Sequence, residues 1–175
     1  MIDRPKDTEY APFFAGYVSL VPEADIVDVL QKQIVDVGSQ ARTVPANGET
    51  FAYAPGKWNI REVYGHMADA ERIFGYRAVC ISRGERASLP GFDEKQYVAR
   101  SRFADTRLTD LVREFTLLRE ANLVALQRLD RSTWSQMGTA NGHPISVRAL
   151  AFIMAGHVRH HLRILGERYA VPAGV

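Results

Sequence analysis

The chain has 175 residues, 46% hydrophobic and 24% charged, and a formal net charge of +2, as expected of one globular domain. Its Lys and Arg residues are scattered and no run of about 18 apolar residues occurs, which excludes a basic nucleic-acid-binding stripe and a membrane-spanning helix. Because Cys80 is the only cysteine and the first residues lack a signal-peptide pattern, we expect a cytoplasmic protein without an internal disulfide.

Four long segments have the apolar spacing of amphipathic helices: residues 23–40, 60–83, 108–130 and 147–169. Pro22 is a suitable opening-turn residue for the first helix. Asn59, with Glu62 three residues later, predicts a capping box at the start of the second helix. Thr106 and Ser146 are the predicted N-caps of the third and fourth helices.

The connections between these segments are rich in Gly, Pro, Asn and Asp. Gly84 is a suitable terminator of the second helix, and Asn141-Gly142 predicts a tight turn before the fourth. The connection 85–105 is unusually long, which often indicates a functional role, and we expect residues 89–93 to turn back over one end of the helices. The sequence thus predicts an all-α four-helix bundle with a long connection between helices 2 and 3.

Three of the five histidines are predicted to face the interior of the bundle. Successive helical residues rotate by about 100°, which places His157 and His161 within about 20° of the centre of the apolar stripe of the fourth helix, taken at Leu150. On the same scale His160 lies about 80° away, at the edge of the stripe. His66 lies on the apolar stripe of the second helix by the same reasoning.

These three imidazoles predict a site for one divalent metal ion. A single buried histidine is more often hydrogen-bonded than metal-bound, but three on converging stripes favour a shared ion, since burying their polar groups unpartnered costs several kcal/mol. Neutral imidazole is a good ligand for zinc, nickel, copper or iron. The segment His157-Val-Arg-His160-His161 lacks the glutamate of the H-E-x-x-H zinc proteases, which are therefore not supported.

Other polar residues have weaker patterns. Glu62 and Asp69 flank the His66 face, where either would hold the imidazole or act on bound water, although capping for Glu62 and solvation for Asp69 are the favoured interpretations. No catalytic residue is assigned from the sequence.

Arg77 lies on the His66 stripe and would engage an anionic ligand or a loop carboxylate such as Asp93, although a structural pairing is the commoner role. Cys80 is expected to be a small core residue, because no feature near it in the sequence would lower its pKa. His143 is expected to lie in a turn in contact with solvent.

Two motifs, G-H-x-x-D-x-E-R at residues 65–72 and G-H-x-x-H-H-x-x-I-L at residues 156–165, resemble those of the DinB-like proteins, the DinB/YfiT superfamily. The likeness extends over residues 17–169. It implies an up-down-down-up bundle over residues 17–170, preceded by an extension, 1–16, and followed by a tail, 171–175. It also implies a metal site at His66, His157 and His161, with zinc or nickel bound, and a homodimer.

The resemblance implies an enzyme but leaves its reaction open. Some related branches are S-transferases that use bacillithiol or mycothiol, and others are labelled metal-dependent hydrolases. The first hypothesis is therefore a metal-dependent enzyme that activates water or a low-molecular-weight thiol toward a small electrophile. The alternatives are a non-catalytic metal-binding or stress-response module and a purely structural bundle whose histidines form hydrogen bonds.

Overall fold

Four long helices form the body of the protein, as the apolar periodicity predicts. The computed structural model describes residues 2–174. Its helices, including two short ones, are α1 (Ala15–Ser19), α2 (Ile26–Arg42), α3 (Ile60–Ser82), α4 (Glu94–Arg100), α5 (Leu108–Gln127) and α6 (Val147–Tyr169). Within the described residues every helix is too short or too polar to span a lipid bilayer.

Two predicted helix starts are confirmed in atomic detail. The Asn59 side chain accepts a hydrogen bond from the Glu62 backbone N–H, and the Glu62 carboxylate accepts one from the Asn59 backbone N–H, which completes the capping box of α3. The Ser146 hydroxyl accepts a hydrogen bond from the Ala149 backbone N–H and caps α6. Gly84 follows the end of α3 with a φ of 88°, a left-handed conformation that glycine adopts at low cost.

Two other predicted starts are wrong. Helix α2 begins at Ile26, capped by the Asp25 side chain, so Pro22 lies outside its opening turn. The α5 N-cap position is Arg107 rather than Thr106. The first α5 amide, Leu108 N–H, donates instead to the Glu49 carboxylate at 3.2 Å, a partner 59 residues away in the chain.

The bundle has the up-down-down-up arrangement. Helices α2 and α3 each pack against both α5 and α6, and thus lie diagonally opposite each other. Helix α2 is parallel to α6, α3 is parallel to α5, and α3 is antiparallel to α6. Successive contacts define these directions: Gln33–Ala155 then Gln40–Leu162, Arg72–Glu114 then Gly75–Asn122, and His66–His161 then Phe74–His157.

A two-stranded hairpin precedes α6. Strands β1 (Met137–Ala140) and β2 (His143–Ser146) are antiparallel and joined by the predicted Asn141-Gly142 turn, in which both residues have positive φ. Leu89 from the long connection forms backbone hydrogen bonds of 2.9 Å to Thr139 and Asn141. The connection is therefore fixed to the hairpin, at one end of the bundle.

The two chain ends also pack on the helices. The Glu9 carboxylate accepts hydrogen bonds of 2.7 Å from the Ser146 hydroxyl and from Arg148 Nε, at the start of α6. Val171 is buried, and its N–H donates to the Leu165 carbonyl at 3.0 Å. The division into extension, bundle and tail stays a prediction, but both ends contribute contacts to the helical core.

A buried ion pair crosses the centre of the bundle. Arg119 on α5 donates two 2.8 Å hydrogen bonds to the Glu71 carboxylate on α3. The same guanidinium donates to the Leu30 carbonyl and the Gln33 side chain on α2. Gln33 in turn donates to the Ala155 carbonyl on α6, so one polar network joins all four long helices.

Candidate metal centre and its cavity

The structure brings the ring nitrogens of His66, His157 and His161 to one point between α3 and α6. The Nε2 atom of His157 lies 2.9 Å from that of His66 and 3.0 Å from that of His161. One ligand atom from each of the three residues lies within 4.8 Å of the others. All three side chains are buried, with at most 8% of their surface exposed.

This geometry fits a shared ion better than a set of hydrogen bonds. The Nε2 atom of His157 carries either one proton or one lone pair, directed outward in the plane of the ring. It can therefore form only one good hydrogen bond in that direction. Two nitrogens approach this atom. Tetrahedral zinc with bonds of 2.0–2.1 Å separates its ligand nitrogens by about 3.3 Å, a few tenths of an ångström more than the two distances measured at His157.

The three imidazoles are neutral at pH 7. Burial, assisted by the nearby charge of His160, lowers the pKa of His66 to about 4. Burial also holds the pKa values of His157 and His161 well below the ordinary value, with repulsion among the histidines adding to the effect. A neutral imidazole offers its lone pair to a metal without first losing a proton.

His160 lies outside the cluster, at the position that the helical rotation predicts. It is half-buried, and its ring packs at 5.3 Å against the ring of Tyr17, which also contacts His157 at 5.4 Å. Helix α1 approaches this closely because α6 has Gly156, where an added Cβ would lie 2.0 Å from the Tyr17 carbonyl oxygen. The glycine thus positions Tyr17 beside the histidines.

A cavity of about 340 Å³ opens onto the three histidines. It lies between α3, α6, the N-terminal segment, the hairpin and the long connection. Its wall is largely aromatic and includes Phe14, Tyr17, Trp58, Phe74 and Phe92. Such a concave, mostly apolar space with a few convergent polar groups is the usual form of a small-molecule site.

The carboxylates that the sequence places beside His66 do not line this cavity. Glu62 is held in the capping box, and Asp69 is half-buried and 3.2 Å from Arg72. Burial raises the pKa of Asp69. Among the residues that the structure describes, the carboxylate on the cavity wall is Glu94, at the start of α4. Sequence reasoning missed it, since its only signal was the unusual length of the connection.

Arg77 lines the same cavity, and Asp93 is not its partner. The guanidinium donates from Nη2 to the Pro90 carbonyl at 2.7 Å and lies over the rings of Phe74 and Phe92, 5.9 Å from each ring centre. Asp93 caps α4 instead, by accepting from backbone N–H groups of that helix. The predicted turn at residues 89–93 therefore forms part of the cavity wall.

The last two residues considered from the sequence, His143 and Cys80, lie at the edge of the cavity and outside it. His143 is exposed, as predicted, but it is the first residue of β2 and lines the cavity mouth, where its ring packs on that of Phe13 at 5.5 Å. Cys80 is partly buried against the core and is not on the cavity wall.

Known proteins share this fold. The DinB superfamily profile matches residues 39–165. YfiT from Bacillus subtilis, described as a probable metal-dependent hydrolase with an unusual four-helix bundle topology, superimposes with a TM-score of 0.75. It is 16% identical, over 94% of this chain and 95% of its own.

The mycothiol-dependent maleylpyruvate isomerase superimposes with a TM-score of 0.68 at 14% identity, over 85% of this chain and 62% of its own. No curated protein is similar enough in sequence to count as a relative. At these identities the two structures show a common fold.

Proposed function

The chain belongs to the DinB superfamily, and we propose that it binds one divalent metal ion, zinc or nickel, through His66, His157 and His161 and uses it to activate water or a thiol toward a small electrophile. The observation that carries this proposal is the convergence of three neutral, buried imidazoles on a cavity of substrate size. When bound, an ion with three neutral ligands keeps its full charge and lowers the pKa of a water or thiol toward neutrality.

The other residues of the cavity have separate roles in this proposal. The Glu94 carboxylate is the proton acceptor on the cavity wall. Burial, followed by the charge of Glu94, raises the pKa of Tyr17, so its hydroxyl keeps its proton and is a hydrogen-bond donor for a substrate in the cavity. The aromatic wall excludes bulk water and holds an apolar substrate body.

Two reactions share this arrangement. Water as the nucleophile gives a hydrolase, in line with the description of YfiT. A thiol as the nucleophile gives an S-transferase, and the mycothiol dependence of the structurally similar isomerase supports a thiol as co-substrate. In both, the chain's own contribution is to hold the nucleophile and the electrophile together in one cavity.

Metal analysis tests the site itself. Protein purified without a histidine tag should bind one zinc or nickel ion, and His157→Ala should lose tight binding. His160→Ala is the matched control. It removes the imidazole adjacent to His161, which is not part of the three-histidine cluster, and should therefore change the metal affinity little. Equal damage by His160→Ala and His161→Ala would show that the wrong face of α6 has been assigned.

Activity assays separate the enzymes from a non-catalytic module. The metal-loaded protein is incubated with monochlorobimane and each of bacillithiol, mycothiol and cysteine, and separately with p-nitrophenyl acetate. A conjugate in which the thiol sulfur replaces chloride identifies a transferase, and thiol-independent ester cleavage identifies a hydrolase. Metal binding without either activity, and without displacement of bound water by small molecules, would favour the metal-binding or stress-response module.

The homodimer implied by the family resemblance stays a prediction. Size-exclusion chromatography with light scattering tests it directly, since a monomer of this chain has a mass of 19.6 kDa.

A further inference from the structure

In the described part of the chain Arg77 is one of two buried arginines, and the two have opposite surroundings. Arg119, with no exposed surface, has its charge neutralised by a bidentate carboxylate, Glu71. Arg77 is only 4% exposed, yet its single hydrogen bond is to the neutral carbonyl of Pro90. Within residues 2–174 no carboxylate oxygen lies within 4.0 Å of its guanidinium nitrogens. A buried cation without a counter-ion is costly, which indicates that a ligand supplies the missing charge.

The guanidinium is also held in a fixed orientation. The guanidinium lies over the rings of Phe74 and Phe92, with Cζ 5.9 Å from each ring centre, and the Pro90 carbonyl accepts from Nη2. Its Nε and Nη1 atoms make no hydrogen bond to the described protein. They are not among the fully enclosed unpartnered atoms, so they keep some accessible surface, and Arg77 is part of the cavity wall.

The distance from Arg77 to the histidines defines the length of a ligand. Cζ lies 5.9 Å from the Phe74 ring centre, and that centre lies 5.9 Å from the His157 ring centre. A molecule that reaches both ends of the cavity therefore spans at most about 12 Å, the length of a small aromatic or branched acid. Between the two ends its body contacts aromatic side chains.

We propose that Arg77 binds a carboxylate of the substrate, so that the protein acts on a small carboxylate-bearing molecule whose apolar body and reactive centre extend from Arg77 toward the histidines. A planar guanidinium edge matches a carboxylate in bidentate geometry. A phosphate dianion carries a second charge, and among the described residues the cavity wall has no Lys or Arg besides Arg77 to neutralise it. That the bound carboxylate belongs to the reacting substrate rests on the proposed function. Carboxylate binding by Arg77 itself does not require the metal.

Glu94 is the competing partner within the chain. Its carboxylate lies on the same cavity wall, more than 4.0 Å from the Arg77 guanidinium nitrogens. If it were the partner of Arg77 in solution, Glu94→Gln would tighten the binding of an anion strongly by freeing the guanidinium. The proposal expects a change of less than threefold from this variant.

Binding to the metal-free protein tests the inference independently of the proposed function. The protein is treated with EDTA and titrated by calorimetry with phenylacetate, with the neutral isostere phenylacetamide, and with phenyl phosphate. Phenylacetate should bind at least tenfold more tightly than phenylacetamide, the effect of one charge-assisted contact. Arg77→Met should remove this preference, and Arg77→Lys should restore only part of it, because lysine lacks the fork.

Arg83→Met is the matched control: it removes the same charge from an exposed position just after the end of α3 and should leave binding unchanged. Arg77→Met should unfold at the same urea concentration as the wild type or a higher one, because it removes an unpaired buried charge. Equal affinity for the acid and the amide, unchanged binding by Arg77→Met, or tighter binding of phenyl phosphate than of phenylacetate would overturn the proposal. Arg77-dependent binding without any catalysis would contradict only the proposed function.

Discussion

The ion pair between Arg119 and Glu71 should be among the most sensitive elements of the fold. In Arg119→Leu the Glu71 carboxylate remains 2% exposed, with Asn122 Nδ2 at 2.8 Å as its remaining side-chain donor. Removal of one partner of a buried pair typically costs about 3–5 kcal/mol, because the other charge stays desolvated. For a chain of this length that corresponds to a decrease in melting temperature of about 6–20 °C.

The pair as a whole should matter far less than either half. Replacing both Arg119 and Glu71 by leucine removes both desolvated charges, so the double variant should be more stable than Arg119→Leu alone. Urea unfolding of the metal-free protein, followed by circular dichroism, measures the three variants and the wild type as a double-mutant cycle. Arg107→Leu is the control, since Arg107 pairs with Asp110 on the surface and should cost less than about 1 kcal/mol.

Two results would refute this reasoning. One is a loss below about 1 kcal/mol for Arg119→Leu, which would mean that the Glu71 carboxylate becomes protonated or reaches water without penalty. The other is a double variant whose loss equals the sum of the two single losses, because a coupled pair must show a shared free energy.

Two further predictions concern the close packing at Gly156 and the ionised carboxylate of Glu9. Gly156→Ala should lower the free energy of unfolding, measured by urea titration, by about 1–3 kcal/mol. It should also move Tyr17 away from the histidines, because the new Cβ meets the Tyr17 backbone. Gly38→Ala is the control: its Cβ meets only a flexible side chain at 3.5 Å, so it should be neutral or stabilising in the same titration. Burial alone would raise the pKa of Glu9, but hydrogen bonds, led by that of Arg148, lower it below 4.5. Its contribution to stability is therefore present above pH 4.5 and lost as the pH falls below that value, so the wild type should lose more stability than Glu9→Gln between pH 5 and pH 3; parallel pH profiles would contradict this.

The sequence predicts the four long helices because their signals are local. Apolar spacing defines each buried face, and the caps at Asn59 and Ser146 bond to amides three residues away in the chain. The error at Thr106 has the opposite origin. The amide of Leu108 is satisfied by Glu49, which only the folded chain brings near, and no local pattern indicates such a partner.

Helical rotation also predicted which histidines meet, since it depends only on the positions of His66, His157 and His161 along regular helices. It could not identify the buried pair of Arg119 and Glu71. A charged residue beside an apolar stripe is usually solvated, and its burial is acceptable only if the facing helix presents the opposite charge. That condition depends on how α3 and α5 pack, which no single segment specifies.

The metal-site histidines and most of the other cavity residues come from different parts of the fold, which affects how substrate specificity can vary. The three histidines lie on long helices, whose geometry the whole bundle maintains. Tyr17, Phe92, Glu94, Asn141 and His143 lie on α1, the long connection, α4 and the hairpin. Connections tolerate change while a scaffold is kept, so proteins that share this bundle can differ here without losing the histidine cluster. Under the proposed function, the helices therefore provide the chemistry, and the connections, together with Arg77, select the substrate.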